Sequence, residues 1–224
     1  MRKLVLMFSL IVTTAFFNIG GCNGGGGTPD NGDIGDGPGF RDPSAVAVED
    51  DGNILVIDAG TIALYRVDPL SGDRQIISDA VTGAGPQLVV PLELALEGSG
   101  NIVMTDAGIG DAGGIFRILP GSGNRTVLSS SDVGSGPDFA LPIGIAVAQD
   151  GLILVADFSL PGVMSVNPLT GERAVVSGDG IGSGLGFEAP IGIDVAGDGS
   201  ILVTDFGLEL VFSVDPSTGD RTIV

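Results

Sequence analysis

One unit of about 50 residues recurs four times between residue 35 and residue 224, and this repetition constrains the fold more than any other feature. The copies align on segments that open with proline and end with aspartate: PSAVAVEDDGNILVID from Pro43, PLELALEGSGNIVMTD from Pro91, PIGIAVAQDGLILVAD from Pro142 and PIGIDVAGDGSILVTD from Pro190. Successive copies are offset by 48, 51 and 48 residues. Since a fixed period of this length is typical of repeat architectures, each copy is expected to form one structural unit.

Each copy divides into four short apolar segments separated by turn residues. In the third copy, residues 142–148 alternate large and small side chains, which is the period-two pattern of a strand. Four strands in a unit of this length make the blade of a β-propeller. The sequence therefore predicts an all-β fold, a β-propeller of four four-stranded blades, with repeats at about 35–82, 83–133, 134–181 and 182–224.

The repeated pattern P-x-G-I-A-V-x-x-D-G-x-I-L-V-x-D resembles the NHL-repeat class and, more distantly, the senescence-marker protein/gluconolactonase family. The resemblance covers residues 35–224 and implies a propeller, with metal-dependent lactone hydrolysis as one candidate activity. In that family, Asn or Asp side chains just after the blade-opening proline bind the metal. The matching positions here are Ser44, Leu92, Ile143 and Ile191. Three of them are apolar, so the metal site of the family is not carried over.

The number of blades leaves the closure of the propeller open. Relatives with this repeat usually have six blades, whereas four copies are present here and the last reaches Val224 within its final strand. Residues 23–34 are too short to form another blade. The sequence is compatible with a small closed ring, with an open arc, and with a shortened gene product.

The first 22 residues resemble the export signal of bacterial lipoproteins. A short positive segment precedes 14 uncharged residues, 4–17, a run shorter than the ~20 residues of a transmembrane helix and typical of a signal peptide. The sequence Ile19-Gly-Gly-Cys22 then resembles a lipobox, which implies cleavage before Cys22 and attachment of diacylglycerol and palmitate there. The alternative is an ordinary signal peptide followed by a chance cysteine, although Cys22 is the only cysteine of the chain.

This resemblance predicts three segments and a location. Residues 1–21 form the signal peptide, residues 22–34 the lipidated cysteine and a flexible glycine-rich linker, and residues 35–224 the propeller. The mature protein is expected in the cell envelope, lipid-anchored to the outer membrane or the cell surface and facing the periplasm or the exterior.

Charge and composition exclude several classes of function. Without residues 1–21 the chain keeps seven basic and 28 acidic residues, a formal charge of −21, which repels nucleic acid and anionic lipid headgroups. The expected membrane contact is therefore the lipid anchor alone, and no nucleic-acid partner is expected. Histidine is absent, which excludes imidazole catalysis and the virginiamycin-lyase relatives that use a catalytic histidine. No cofactor is firmly predicted, and Ca²⁺ is the candidate cation for the remaining oxygen donors.

Two sets of acidic residues are candidates for binding a ligand or a cation. The repeated set ends the second strand of every copy: Asp58, Asp106, Asp157 and Asp205. These carboxylates can form a ring around a cation or a polyhydroxylated ligand, or each can accept hydrogen bonds from the backbone amides of the following turn. The unrepeated set, Glu93 and Asp194, lies on the small-residue face of the first strand. Because an unpaired buried carboxylate is costly, both are expected to reach the central channel or to find a partner.

Four further arginines recur after the turn that precedes the last strand, at positions 74, 125, 173 and 221. We expect them to pair with acidic neighbours on the outer strands. For the whole protein, the first hypothesis is a tethered binding or scaffold module for a protein or glycan. The second is a metal-dependent lactonase-like hydrolase with a rearranged site. The balance of residues favours the module over an enzyme, and no catalytic residue is predicted.

Overall fold

A computed structural model describes residues 35–224, in which all regular structure is β. The first sheet contains β1 (Pro43–Val48), β2 (Ile54–Asp58), β3 (Ala63–Val67) and β4 (Arg74–Ser78). The second contains β5 (Pro91–Leu96), β6 (Ile102–Asp106), β7 (Gly114–Ile118) and β8 (Arg125–Ser129). The third contains β9 (Pro142–Val147), β10 (Ile153–Asp157), β11 (Gly162–Val166) and β12 (Arg173–Ser177). The fourth contains β13 (Pro190–Val195), β14 (Ile201–Asp205), β15 (Leu210–Val214) and β16 (Arg221–Ile223).

Strands follow one another in chain order within each sheet, and all pairs are antiparallel. The predicted all-β propeller architecture of four four-stranded blades is confirmed. No helix within residues 35–224 is long and apolar enough to cross a membrane. The predicted signal peptide, Cys22 and the linker lie outside the described residues.

The hairpin between the first two strands of each sheet depends on a glycine. In the third sheet, Gly151 adopts φ 88°, a conformation that side-chain-bearing residues rarely adopt. Its amide donates to the carbonyl of Ala148 at 2.9 Å, and the Ala148 amide donates to the carbonyl of Leu152 at 2.8 Å. The Asp-Gly and Ser-Gly pairs that mark these turns in the sequence therefore fix the register of strands one and two.

The sheets stack in chain order through two different faces. We call the face bearing Ile145 and Val147 in the third sheet the large face, and the face bearing Gly144 and Ala146 the small face. The large face of the third sheet packs on the small face of the second, where Val103 joins the same hydrophobic cluster. Equivalent clusters join the first sheet to the second and the third to the fourth. Each large side chain fully buried there contributes about 1.5–3 kcal/mol.

The two ends of this stack do not meet. The large face of the first sheet leaves Val46 and Val48 62% and 61% exposed, whereas the equivalent Ile145 of the third sheet is 4% exposed. On the small face of the fourth sheet, Asp194 and Thr204 are exposed. Within residues 35–224 no hydrophobic cluster joins the first sheet to the fourth. Of the alternatives that the sequence left open, the structure has the open arc.

Repeated arginines connect neighbouring sheets, but through partners other than those expected. Arg173 donates from Nη1 to the Ser129 hydroxyl at 2.8 Å and from Nε to the carbonyl of Pro137 at 2.6 Å. The Ser129 hydroxyl in turn donates to the carbonyl of Gly171 at 2.8 Å. The equivalent arginines of the second and fourth sheets bind a serine and carbonyls in the same way. Of these three arginines only Arg173 forms a salt bridge within residues 35–224, with Asp138. Arg125 has a favourable electrostatic interaction with Asp79 at longer range, so the predicted ion pair is wrong for Arg221 alone.

Candidate functional site

The repeated aspartates lie at the end of the second strand of each sheet, and their carboxylates bind backbone amides. Asp157 is fully buried, and its Oδ2 accepts a hydrogen bond from the amide of Ala140 at 2.7 Å. Its Oδ1 accepts from the amides of Leu141 and Leu160, both at 2.9 Å, and from Ser159 at 3.1 Å. The carboxylate therefore ties the segment that enters the sheet to the turn that follows β10.

The same arrangement recurs in the other three sheets. The amide donors are Arg41, Asp42 and Thr61 for Asp58, Val89, Val90 and Gly108 for Asp106, and Glu188, Ala189 and Leu208 for Asp205. For Asp58, burial raises the pKa, but the hydrogen bonds it accepts outweigh burial and lower the pKa overall. For Asp157, burial prevails over its amide bonds and raises the pKa.

These contacts bear on the predicted ring of carboxylates. Each aspartate belongs to a different sheet. Its carboxylate oxygens accept hydrogen bonds from three or four backbone amides in the segments flanking the strands of that sheet. Within residues 35–224 no three acidic, cysteine or histidine side chains are gathered closely enough to hold a metal ion. The four aspartates thus do not present the free, convergent oxygen donors that Ca²⁺ requires.

Glu93 lies in an irregular part of β5, between the second and third sheets. Its pairing with β6 is interrupted between Pro91 and Leu94, and its amide donates to the Thr105 hydroxyl at 3.2 Å. The Thr105 hydroxyl also donates to the carbonyl of Ile143 in the third sheet at 2.6 Å. Burial raises the pKa of the Glu93 carboxyl, opposed by a hydrogen bond from the Leu94 amide at 3.2 Å. A half-buried carboxyl with a raised pKa is a feature that occurs at functional sites.

Asp194 occupies a different environment, on the exposed small face of the fourth sheet. Its Oδ1 accepts a hydrogen bond from the amide of Val195 at 2.8 Å. Glu93 lies inside an interface between two sheets, whereas Asp194 lies on an end face of the stack. The structure therefore assigns the two unrepeated acids to separate places and does not join them in one site.

A cleft that the repeat pattern does not predict lies beside the loops that connect the third and fourth sheets. Its volume is about 480 Å³, and Arg221, Phe187, Met164, Leu160 and Asp179 are among the residues that line it. A second, more open groove of about 420 Å³ lies on the fourth sheet; acidic and hydroxyl side chains dominate its lining. The sequence signal for the first cleft is small: the glycine loop of the third copy carries Asp138 where the fourth carries Gly186.

Comparisons with known proteins agree on the fold. No protein-family model matches the sequence, and none of the curated proteins does. A gluconolactonase from Xanthomonas campestris is 17% identical with a TM-score of 0.61, over 81% of this chain and 61% of its own. A chain of a nidogen/laminin complex is 19% identical with a TM-score of 0.64, over 82% and 63%. A streptogramin B lyase is 16% identical with a TM-score of 0.64, over 85% and 56%.

At these identities the similarity shows the fold alone, a β-propeller. The chain spans about three-fifths of the length of these structures. The resemblance seen in the repeated pattern is therefore confirmed at the level of architecture.

Proposed function

We propose that this chain is a lipid-anchored extracytoplasmic propeller that serves as a binding or scaffold module for a protein or glycan ligand. The observation that carries the proposal is the large face of the first sheet. There Val46 and Val48 are 62% and 61% exposed, at positions where the inner sheets pack against a neighbour. Phe40, 37% exposed and in edge-to-face contact with Tyr65, extends the same apolar surface.

Charge favours a protein with a basic rim as the ligand of this face. The chain has a formal charge of −19, so a partner that combines apolar side chains with surrounding Lys or Arg gains both burial and attraction. A similar propeller chain occurs in a nidogen/laminin complex, which supports the use of this fold in protein association. Anchoring through Cys22 would hold the module at the membrane, with the glycine-rich linker giving it reach.

Photo-crosslinking tests the binding face. A photoreactive amino acid at position 46 in the full chain, activated in intact cells, is expected to yield a defined adduct with one protein. The control carries the same amino acid at position 81, where Val81 is 89% exposed on a loop. No adduct from position 46, or the same adducts from both positions, would contradict the proposal.

Cell fractionation tests the anchor separately. The wild-type protein is expected in the membrane fraction, and Cys22→Ser is expected to release it because the lipid cannot be attached. A wild-type protein that is already soluble would refute the anchor without touching the binding face.

The second candidate function is a lactonase-like hydrolase, and Glu93 is the observation that favours it. Gluconolactonases share this fold, and Glu93 is a half-buried carboxyl of raised pKa. The positions that correspond to the metal ligands of that family include Leu92, Ile143 and Ile191, which offer no side-chain donor. If the protein is the proposed binding module, it will not turn over common sugar lactones with added Ca²⁺, Mn²⁺ or Zn²⁺. Metal-dependent turnover that Glu93→Gln abolishes would instead establish the hydrolase.

A further inference from the structure

Three arginines occupy equivalent places in successive sheets, but their Nη2 groups differ in what they bind. Arg173 Nη2 donates to Oδ1 of Asp138 at 3.1 Å, and Arg125 Nη2 makes a long contact of 3.4 Å with the carbonyl of Gly83. Arg221 uses Nε and Nη1 on the same kinds of partners, yet its Nη2 has no acceptor among residues 35–224. The guanidinium of the fourth sheet thus has one unused pair of donors.

This unused Nη2 lies in a side chain that is otherwise buried. Arg221 is only 8% exposed. No side-chain nitrogen or oxygen in the described part is both buried and without a partner, so solvent must reach Nη2. Arg221 also lines the cleft of about 480 Å³. We take the cleft to be the space into which Nη2 opens.

One residue accounts for the difference between the third and fourth copies in what Nη2 binds. Asp138 supplies the carboxylate in the third copy, and the equivalent residue of the fourth copy is Gly186. A Cβ added to Gly186 would have no atom within 4 Å, and its backbone is not in the left-handed region. Neither space nor backbone geometry requires glycine there, so the loop itself does not account for the missing carboxylate.

The cleft has the composition of a small-molecule site. Leu160, Met164 and Phe187 give it apolar walls, and the Arg221 guanidinium lies over the Phe187 ring with Cζ 5.5 Å from the ring centroid. Apolar walls with one well-placed charged donor are typical of such sites, and arginine matches a carboxylate particularly well. Exposed Asp179 on the cleft and the net charge of −19 disfavour ligands with several negative charges.

We propose that Arg221 binds the carboxylate of a small monocarboxylate with an apolar body, in the place that Asp138 takes beside Arg173. This site goes beyond the proposed function, because it depends neither on the lipid anchor nor on the large face of the first sheet. The ligand class follows from the lining of the cleft. The guanidinium of Arg221 binds the carboxylate, and the apolar wall contacts the remaining, apolar part of the ligand.

Equilibrium dialysis of the full chain in detergent tests the site, with phenylacetate as the probe and phenylacetamide as its neutral counterpart. Wild type is expected to bind one equivalent of phenylacetate saturably and phenylacetamide at least about tenfold more weakly, since a charge-assisted pair is lost. Gly186→Asp is expected to weaken phenylacetate binding about tenfold or more, because the new carboxylate occupies Nη2 as Asp138 does at Arg173.

Two control variants separate charge from mere bulk. Gly186→Ala adds a side chain without charge, and Asp138→Gly alters the equivalent loop of the third copy; both are expected to keep the wild-type affinity of the Arg221 site. Gly186→Asp is expected to melt at or above the wild-type temperature, because it adds an ion pair without a steric clash. Absence of saturable phenylacetate binding, equal binding of the amide, or unchanged binding by a folded Gly186→Asp would overturn the proposal.

Discussion

The small face of the third sheet is buried in the interface with the fourth sheet, whereas the small face of the fourth sheet is an outer face. The two faces contain equivalent repeat positions but carry different residues. At the interface, Gly144 and Ala146 are buried under the fourth sheet, and a Cβ on Gly144 would lie 2.3 Å from the carbonyl oxygen of Ile191. On the outer face, the equivalent positions hold Gly192 and an exposed Asp194. The repeat thus determines the sheet, whereas the neighbouring sheet determines which side chains a position can carry.

The first sheet gives the opposite end of the stack a different character. On its large face, Val46 and Val48 of β1 remain apolar and exposed, whereas Val56 and Tyr65 are buried. Its one polar replacement in β1, Ser44, is uncharged, unlike Asp194. One end is therefore acidic and suited to solvent, and the other is apolar and suited to a partner. This asymmetry is the structural basis of the proposed binding face.

The largest expected effect comes from exchanging the two residues that distinguish interface from end. Ala146→Asp places an unpaired charge inside the interface and is expected to cost more than about 3 kcal/mol of the free energy of unfolding. Asp194→Ala, at the equivalent exposed position, is expected to leave stability unchanged or slightly higher. Urea unfolding of both variants checks this, and similar costs at the two positions would mean that both are buried.

Removal of a repeated aspartate is expected to cost the same in an inner sheet and in an end sheet. Asp157→Ala and Asp205→Ala each leave buried amides without an acceptor, which corresponds to about 3 kcal/mol in total. The two costs are expected to agree within about 1 kcal/mol because these bonds lie within one sheet and do not depend on its neighbour, although Asp157 accepts one amide bond more than Asp205. Urea unfolding again provides the measurement, and a cost below about 1 kcal/mol would show that the carboxylates serve something other than the turns.

A glycine-to-alanine pair sharpens the same comparison with a smaller change. Gly144→Ala is expected to destabilise by about 2 kcal/mol, because the new methyl group meets the carbonyl of Ile191 across the interface. Gly192→Ala would place its Cβ 2.7 Å from the Thr204 hydroxyl of its own sheet, which can rotate away only by losing its 3.0 Å hydrogen bond from the Gly192 amide, and is expected to cost about 1 kcal/mol. Thermal melting measures both, and an equally large loss for Gly192→Ala would indicate a further sheet packed on the fourth.

The smallest effect concerns Glu93, and it depends on pH. Burial raises its pKa above the usual 4.5, so its ionisation opposes folding as pH rises through the pKa of the folded state. Glu93→Gln removes this cost and is expected to be about 1 kcal/mol more stable than wild type at pH 7. Below about pH 4 the difference should vanish, since the carboxyl is then protonated in both states. A stability difference independent of pH would mean that Glu93 is solvated.

The sequence predicted the features that lie within one copy of the repeat. It did not predict the features that depend on the contact between two neighbouring sheets. Alternation in residues 142–148 and the Asp-Gly turns predicted the strands because both signals are local. The contrast between Glu93 and the small residues of other copies marked an unusual position, but the interrupted pairing of β5 has no signal in the pattern. Arc or ring closure depends on the angle between sheets, which no residue encodes by itself.

The arginines illustrate the same limit. Their recurrence suggested a common role, but within residues 35–224 neither Arg125 nor Arg221 forms the close ion pair that was predicted, and Arg125 interacts with Asp79 only at longer range. Serine hydroxyls and loop carbonyls of the preceding sheet lie closer to their guanidinium groups and satisfy them. Only the stacked structure brings these partners from more than 35 residues away.

Cross-linking of paired cysteines tests the open arc most directly. In a Cys22→Ser background, Ala95→Cys with Val147→Cys spans the second and third sheets, where both residues pack on one cluster. Asp194→Cys with Val48→Cys occupies the same repeat positions across the fourth and first sheets. With a short bifunctional thiol reagent at low protein concentration, we expect the first pair to cross-link within one chain and the second pair to remain unlinked. Efficient intrachain cross-linking of the second pair would show that the ring closes and would contradict the account.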